Sequence, residues 1–563
     1  MRMPAFTGGR RRLGILAGFV LLTVVLTTPL AWRAGSVGPV NTGDGQLSIW
    51  NVSWVARTLV LDPLHVYDAN IFAPHRSTLA YSEANLPAGV LGLPGWWISK
   101  NPYLTYNSAI CLSLLLAALA TFGLVRHLTG SGPAAAIAAI LFAFAPFVAV
   151  RYAHIQLLVT AGLPFTLWAM HRFVDRATVG RALTLSLAIA LAGLSCGYYG
   201  FFAAIAAGLG MVYYAVRRRY WRQPSYLALC LLAAVGAGLI FLPFFLPYLD
   251  LLTGPQPFRT LDDARQYSAT ARSYLTSTAR LHRLVIGSVL PVLAADYPER
   301  VLFPGFLACV LAAAAIIGAF RKGSNATPDP AAQRVRRETV GYYVLLVGVA
   351  GWLSFGPKAW LYSAAYRIVP AWSLLRAPSR FGILVTLAFA VLAGIALASW
   401  LKTPGRRRWV VCAIGIAAVA DVAAVPWDAR DALAVPAAYR VLASLPPGTV
   451  AEFPFFFRKI DFYRNSLYML YSTAHWHPIV NGYSDRIPDD FEPMVVPVSS
   501  FPAWEAFGLL RRHGARYVVF HLDLYDHRSR EKLLERLDRY KLYIRPLVQQ
   551  NDVWLYEIVQ WPE

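Results

Sequence analysis

The residues of this sequence that are best suited to chemistry are charged groups between long apolar runs. Asp44 stands in Asn41-Thr-Gly-Asp-Gly-Gln46, shortly after the first apolar run. Gly43 and Gly45 allow a tight turn that leaves the carboxylate uncovered, and the apolar residues that follow suit a segment lying in a membrane interface. Asp44 is therefore a candidate general base. The competing interpretation is an Asx-turn or an N-cap that only starts a helix over residues 50–59.

Further acids and bases lie in comparable positions. Glu83, in Tyr-Ser-Glu-Ala-Asn, is a candidate second carboxylate that positions a substrate, pairs with an arginine or binds a metal; the alternative is a solvated loop acid. Arg151 and His154 begin an apolar run, where ionisable groups mark a function or anchor the helix end. We predict no resident metal, with a divalent cation left open at Asp262 and Asp263, which are otherwise two solvated loop acids.

Cations in the later segments are candidate ligands for phosphate. Arginine combines permanent charge with bidentate hydrogen bonds to phosphate oxygens. The preferred pair is Arg376 and Arg380, which precede an apolar run, and the reserves are Lys358, Arg259 and Arg265. The alternative is that these side chains contact lipid headgroups.

Aromatic and polar side chains are dense in two neighbouring stretches, 471–478 and 481–485. Such side chains stack on sugar rings and hydrogen-bond hydroxyl groups. Ordinary core packing is the alternative. The candidates are Tyr471, His475, His477, Asn481 and Tyr483.

The composition indicates that these residues belong to a membrane protein, whose helices must position them. Of 563 residues, 57% are hydrophobic and 15% are charged, whereas a soluble domain carries about 25% charged residues. The net charge of +22 does not indicate a nucleic-acid partner, because the Lys and Arg residues lie in short links between apolar runs, as membrane topology requires. The five cysteines show no disulfide or zinc spacing.

About eleven apolar runs are long enough to cross the roughly 30 Å hydrocarbon core. With the N-terminus in the cytoplasm, every inner link is basic and acids concentrate in the outer segments, as the positive-inside rule requires. We expect the first run to be kept as a span, and the odd number of spans places the C-terminal region outside. The runs are at about 13–32, 105–126, 133–150, 155–173, 181–197, 199–216, 225–249, 302–320, 339–355, 380–401 and 409–426.

The predicted fold is mainly α. Residues 1–426 form a polytopic transmembrane helix bundle with outer segments 33–104, 253–301 and 356–380, and residues 427–563 form an extracytoplasmic α/β domain. The segment 356–380 has too few apolar residues to cross the membrane, so we expect it to be re-entrant or to lie on the surface. In the outer domain we predict helices over 436–445, 501–513 and 528–539 and strands over 449–455, 516–521 and 553–559.

A transferase acting outside the cell membrane cannot use nucleotide sugars as donors, because they are absent there. A transferase there needs a donor delivered through lipid, with an apolar groove for its tail, cations for its phosphate and a carboxylate that activates an acceptor hydroxyl. The chain offers all three features at one face of the bilayer.

With an acid in a long first outer segment, cations in later ones and a trailing soluble domain, the chain resembles the GT-C superfamily of membrane glycosyltransferases. The family includes protein O-mannosyltransferases and lipid A aminoarabinose transferases, and the resemblance covers residues 1 to about 426. Asp44 matches the acid of the family's first outer loop. The Asp-Glu pair common there is here Asp44-Gly45, which leaves Glu83 as the candidate second carboxylate.

The resemblance implies an inverting transferase in the cell membrane. It would move a sugar from a polyprenyl-phosphate donor, held by the five cations named above, to an extracytoplasmic glycan, lipid or protein. Arg151, His154 and the aromatic cluster would contact the acceptor or support the site. The alternatives are a transporter or flippase of lipid-linked saccharide and a non-catalytic scaffold. Ionisable residues near mid-span are nearly absent, which disfavours a transporter.

Overall fold

A computed structural model of the protein describes residues 9–252, 259–289, 298–321, 330–401 and 408–562, which are mainly helical. The helices are α1 (Gly9–Leu26), α2 (Gly43–Leu61), α3 (Leu86–Ser99), α4 (Pro102–Thr129), α5 (Gly132–Ala143), α6 (Pro146–Ala149), α7 (Gly162–Asp175), α8 (Val179–Ser195), α9 (Gly197–Arg218), α10 (Pro224–Leu252), α11 (Leu261–Gln266), α12 (Arg280–Val289), α13 (Phe306–Phe320), α14 (Pro330–Ser354), α15 (Trp360–Ile368), α16 (Gly382–Leu401), α17 (Arg408–Val422), α18 (Ala437–Leu442), α19 (Asn465–Ser472), α20 (Phe491–Val498), α21 (Trp504–Arg512) and α22 (His527–Arg539). The strands are β1 (Val37–Gly38), β2 (Arg430–Asp431), β3 (Thr449–Phe453), β4 (Ala515–His521), β5 (Ile544–Gln550) and β6 (Val553–Ile558).

Each apolar run predicted from the sequence overlaps at least one helix, and the run at 133–150 is divided between α5 and α6. By length and hydropathy, six helical segments of the described residues suit a membrane span, and four shorter helices are also apolar. The chain is therefore a membrane protein, while the number of about eleven spans and the orientation of the termini stay predictions. The six segments are Pro102–Thr129, Gly132–Ala149, Ile155–Asp175, Gly197–Arg218, Pro224–Leu249 and Pro378–Leu401.

The chain folds as two compact units. The helical unit comprises residues 1–32, 110–246 and 252–427, and the mixed unit comprises residues 33–109, 247–251 and 428–563. The predicted first outer segment thus folds with the C-terminal residues. That residues 427–563 lie outside the membrane stays a prediction.

A buried helix, α16, organises the helical unit. The most apolar 18-residue window of the segment Pro378–Leu401 has a mean hydropathy of 2.5, and 94% of that window is buried. Because it is apolar on all sides, it packs at once against α5, α13 and α14. The equally apolar Pro224–Leu249 is only 11% buried, as expected of a helix that faces lipid.

The mixed unit contains a four-stranded sheet with the order β3-β4-β6-β5. β3 runs parallel to β4, and the other two pairings are antiparallel. The three predicted strands and three predicted helices of this region are confirmed to within a few residues. The strand β5 escaped prediction because Pro546 and exposed polar residues interrupt its pattern, features that an edge strand tolerates.

The mixed unit also contains a short two-stranded sheet and the helices α2 and α3. The strands β1 and β2 pair antiparallel, with Val37 opposite Asp431. The helices α2 and α3 pack together, and α2 also packs against α19. Apolar residues of α2, such as Trp50 and Val55, therefore share one buried core with sheet residues such as Val450 and Val519.

Candidate functional site

Asp44 lies in the first turn of α2, in the mixed unit. The cap of this helix is Thr42, whose side chain accepts a hydrogen bond from the backbone N–H of Gly45 at 3.1 Å. The interpretation of Asp44 as the N-cap is therefore wrong. As an acid in the first turn, Asp44 is stabilised in its ionised form by the helix dipole.

The two glycines beside Asp44 serve close packing, and the prediction that they form a turn is wrong because both are helical. A Cβ at Gly45 would lie 1.9 Å from the carbonyl oxygen of Pro39, and one at Gly43 would lie 2.8 Å from the Cβ of Tyr463. Neither glycine has room for a side chain. The start of α2 is thereby pressed against two neighbouring segments, which fixes the position of the carboxylate between them.

The half-buried carboxylate of Asp44 is held by a residue that lies far away in the sequence. The hydroxyl group of Tyr483 donates a hydrogen bond of 3.0 Å to Asp44 Oδ1. A charged acceptor makes this bond stronger than one between neutral groups. The structure thus brings together two of the predicted site residues, which are separated by 439 positions.

Glu83, the candidate second carboxylate, is half-buried in the same unit. Its backbone carbonyl accepts hydrogen bonds from the side chains of Asn51 at 3.2 Å and Asn85 at 3.0 Å. Asn51 follows Asp44 by seven residues, which is about 10 Å along the helix. The backbone of Glu83 is thus fixed against α2 about two turns from the position of Asp44.

Three of the candidates in the aromatic cluster interact with residues of the mixed unit itself. The side-chain amide of Asn481 forms two hydrogen bonds with the backbone of Glu452, at 2.8 and 3.0 Å, and so extends the edge of β3. His477 contacts the backbone of Gly448 through Nδ1. Burial and the neighbouring His477 lower the pKa of His475 to about 3, which keeps that ring neutral. Tyr471, by contrast, lines a cavity.

In the helical unit, a buried charge cluster surrounds Glu299. Arg380 donates two hydrogen bonds to Glu299 Oε1, at 2.7 and 3.0 Å. Arg151 Nη2 lies 3.5 Å from Oε2 of the same carboxylate. Burial would raise the pKa of Glu299, but Arg380 and Arg151, with a smaller contribution from His154, lower it to about 2. Two guanidinium groups against one carboxylate leave a surplus positive charge.

Burial decides between two interpretations of these arginines. Arg151 is 1% exposed and Arg380 is 7% exposed, so the alternative that Arg380 contacts lipid headgroups is wrong. Arg151 Nη1 donates a hydrogen bond of 2.7 Å to the carbonyl oxygen of Phe147, which agrees with the alternative that this arginine anchors the helix end. Within the part of the chain that the structure describes, Nε and Nη2 of Arg151 have no hydrogen-bond partner. The cluster therefore retains unsatisfied donors as well as excess charge, a combination that favours an anion.

The other cations are more accessible. The guanidinium of Arg376 lies 4.9 Å above the ring of Tyr267, and its backbone N–H donates to Tyr198 Oη at 2.7 Å. That Tyr198 ring also lies 4.5 Å from the Arg380 guanidinium. Arg376 and Arg380 are thus linked through Tyr198. Lys358 is exposed, and the backbone N–H of Arg259 bonds to Ser373.

Asp262 and Asp263 serve the short helix α11. Asp263 accepts hydrogen bonds from the backbone N–H and the hydroxyl of Thr260 in a capping box, which lowers the pKa of Asp263. Asp262 forms an ion pair with Arg265 one turn later. Across the described ranges, no three His, Cys, Asp or Glu residues are grouped to bind a metal ion. Both carboxylates are thus engaged by the helix cap and by Arg265, and a divalent cation at these two acids stays a prediction.

Sequence reasoning missed Glu299, the carboxylate at the centre of the buried cluster. Glu299 lies in a predicted outer segment with several other acids, and nothing in its local pattern indicates a pairing with Arg380, 81 residues later. A cavity in the mixed unit was also missed, because its walls come from five separate stretches of the chain.

Comparisons with solved structures show the fold. The cryo-EM structure of the arabinofuranosyltransferase AftD from Mycobacteria matches with a TM-score of 0.57 at 15% identity, covering 98% of this chain and 40% of AftD. This chain therefore spans about two fifths of the length of AftD.

Two further structures match less closely. The Archaeoglobus fulgidus oligosaccharyltransferase in complex with Zn and sulfate has a TM-score of 0.46 at 17% identity, covering 91% of this chain and 68% of that one. Cupriavidus metallidurans ArnT bound to undecaprenyl phosphate has a TM-score of 0.40 at 15% identity, covering 97% and 98%. No protein-family model and no curated protein sequence matches this chain.

Proposed function

Because this chain has the fold of the GT-C superfamily of membrane glycosyltransferases, we propose that it transfers a sugar from a polyprenyl-phosphate donor to an extracytoplasmic glycan, lipid or protein. The observation that carries the proposal is the half-buried carboxylate of Asp44, fixed by Tyr483 in the first turn of α2. A carboxylate that is ionised, oriented and partly desolvated is suited to act as a general base.

The proposed reaction is a single displacement. Asp44 takes the proton of an acceptor hydroxyl group, and the acceptor oxygen forms a bond to the anomeric carbon. The bond between that carbon and the phosphate oxygen breaks at the same time, and both of its electrons leave with the polyprenyl phosphate. Attack from the side opposite to the leaving group inverts the anomeric configuration. In this scheme Asp44 is the catalytic residue and Tyr483 a positioning residue.

The proposed ligand of the donor phosphate is Arg376, supported by the buried charge cluster. Its guanidinium is half-buried rather than enclosed, so a phosphate has access to it. Arg380 and Arg151 outnumber the single carboxylate of Glu299, and their surplus charge would stabilise a leaving phosphate. Arg259, Arg265 and Lys358 remain proposed secondary contacts, as Glu83 remains the proposed second carboxylate.

The test is Asp44→Asn, which keeps the size of the side chain but removes its basicity. We expect transfer to fall by about 10²- to 10⁴-fold, the usual contribution of a general base. Full-length protein reconstituted in liposomes is supplied with labelled polyprenyl-phosphate sugars, and labelled acceptor is measured. The matched control is Asp485→Asn, an exposed acid of the same unit. Unchanged transfer by a folded Asp44→Asn protein would refute the proposed base.

A further inference from the structure

A cavity of about 850 Å³ opens in the mixed unit, away from Asp44. Its walls come from Gly35, from the end of α2, from α3 and the start of α4, from residues 432–435 and from residues 470–476. Arg57 lies on the same helix as Asp44 and thirteen residues later, which is about 20 Å along the axis. The cavity is therefore distinct from the site proposed for sugar transfer.

The charged lining of this cavity is cationic. Arg57 and Lys100 both line it, and the lining contains no acid. Within the described part of the chain, neither cation forms an ion pair with a carboxylate. Arg57 is half-buried and stacks near the rings of Trp54 and Trp476, at 6.0 and 5.1 Å from their centroids. Burial alone lowers the pKa of this guanidinium. Two cations without an acid complement an anion.

The remaining lining is mainly aromatic and aliphatic, with Asn101 and Thr473 as neutral polar residues, and part of it is exposed. Trp97 is 66% exposed and Leu61 is 63% exposed, and both line the cavity, which places them at its mouth. Exposed tryptophan beside aliphatic side chains is typical of a surface in contact with a membrane interface. A ligand that fits must therefore carry an anionic group for the cavity and an apolar part for its mouth.

Trp476 forms part of the wall of this cavity beside Arg57. Its ring packs against those of Trp54 and Trp96, with centroids 5.9 and 6.0 Å apart, and its backbone adopts a left-handed conformation with φ of 60°. Packing therefore holds this wall in place, and the dense aromatic stretch noticed in the sequence lies at the cavity.

We propose that this cavity binds the phosphate headgroup of an anionic lipid, with Arg57 and Lys100 as ligands of the phosphate and the exposed apolar side chains at its mouth in contact with the acyl chains. The site does not depend on the transferase function, because its evidence comes from residues with no part in the proposed displacement. Its failure and the failure of Asp44 as a base are therefore separate outcomes.

The experiment counts short-chain lipid bound to detergent-purified full-length protein by native mass spectrometry. Dioctanoyl phosphatidic acid is compared with dioctanoylglycerol, which lacks the phosphate, and with inorganic phosphate as a competitor. A cation near a lipid surface contributes about 1 kcal/mol, so each of Arg57→Gln and Lys100→Gln should weaken phosphatidic acid binding about fivefold. The matched control is Arg528→Gln with Lys532→Gln, two exposed cations of the same unit.

Several results would overturn the proposal. They are equal binding of dioctanoylglycerol, unchanged binding in the cation variants, and displacement of the lipid by inorganic phosphate at a similar concentration, which would indicate a site for small anions. Because Arg57 packs between aromatic rings, its variant risks misfolding. Lys100 is exposed, and Lys100→Gln therefore tests the site without that risk. Trp97→Ala should weaken phosphatidic acid binding while leaving the Lys100 dependence in place.

Discussion

Replacing Tyr483 by phenylalanine tests how the proposed base is held. The mutation removes one hydroxyl group, which donates to the Asp44 carboxylate at 3.0 Å, and leaves the ring in place. A hydrogen bond to a charged group contributes about 1.5–3 kcal/mol. If the whole contribution is lost in the transition state, transfer falls about 10- to 150-fold. The loss should be smaller than for Asp44→Asn, because the base itself remains.

A pH–rate profile separates this positioning role from a purely structural one. The hydrogen bond from Tyr483 favours the ionised carboxylate, so its loss should move the acid limb of the profile to higher pH. Initial rates are measured in liposomes with the donor that the wild-type protein turns over, identified from a panel of labelled polyprenyl-phosphate sugars. Tyr463→Phe is the control, because Tyr463 packs beside Gly43 and is 45% exposed.

The outcome that would refute this reasoning is specific. A Tyr483→Phe protein that folds, transfers sugar at the wild-type rate and keeps the wild-type acid limb would show that the hydroxyl group does not act on the base. A loss of rate without movement of the acid limb would assign Tyr483 a structural role only.

Three further predictions concern stability, measured as the apparent Tm of the purified protein. Gly45→Ala forces a methyl group against a backbone carbonyl and should cost about 1–3 kcal/mol, whereas Gly508→Ala, in open space on α21, should gain about 0.5–1 kcal/mol; equal shifts would contradict the packing argument. Arg380→Met leaves a buried carboxylate short of a partner and should cost about 3–5 kcal/mol. Because the pKa of Glu299 is lowered from 4.5 to about 2, its ion pairs stabilise the fold above pH 4.5 and lose this effect as pH falls toward 2. Glu299→Gln should therefore reduce the acid sensitivity of Tm, and an unchanged pH dependence would contradict this assignment.

The apolar helices were predictable because the signal for a membrane span is an unbroken apolar run of consecutive residues. The local signal failed where two residues of similar type compete for one role. Thr42 and Asp44 are both capping types, and only the observed start of α2 at Gly43 assigns the cap to Thr42. The hydrogen bond between Asp44 and Tyr483 was not predictable, because no local pattern relates positions 439 residues apart.

The same limit applies to the arginines. The sequence identified Arg380 as a cation ahead of an apolar run, which was enough to make it a candidate phosphate ligand. Its burial against Glu299 follows from tertiary packing, and this packing changes its proposed role from a direct ligand to a source of positive potential behind Arg376.

The positions of the buried charges also bear on the choice between an enzyme and a transporter. Arg380 is two residues from the start of Pro378–Leu401, and Asp421 is one residue from the end of α17. Charges near helix ends suit chemistry at a membrane surface, whereas a transporter binds its substrate near the midplane. Asp44→Glu tests whether Asp44 acts as the base, because it keeps the charge and moves the carboxylate by one methylene group. A misplacement of about 1 Å costs a base about 10²-fold in rate, while a charge that only steers a substrate tolerates the change. Sugar transfer at the wild-type rate by Asp44→Glu would therefore count against Asp44 as the base, even if Asp44→Asn were inactive.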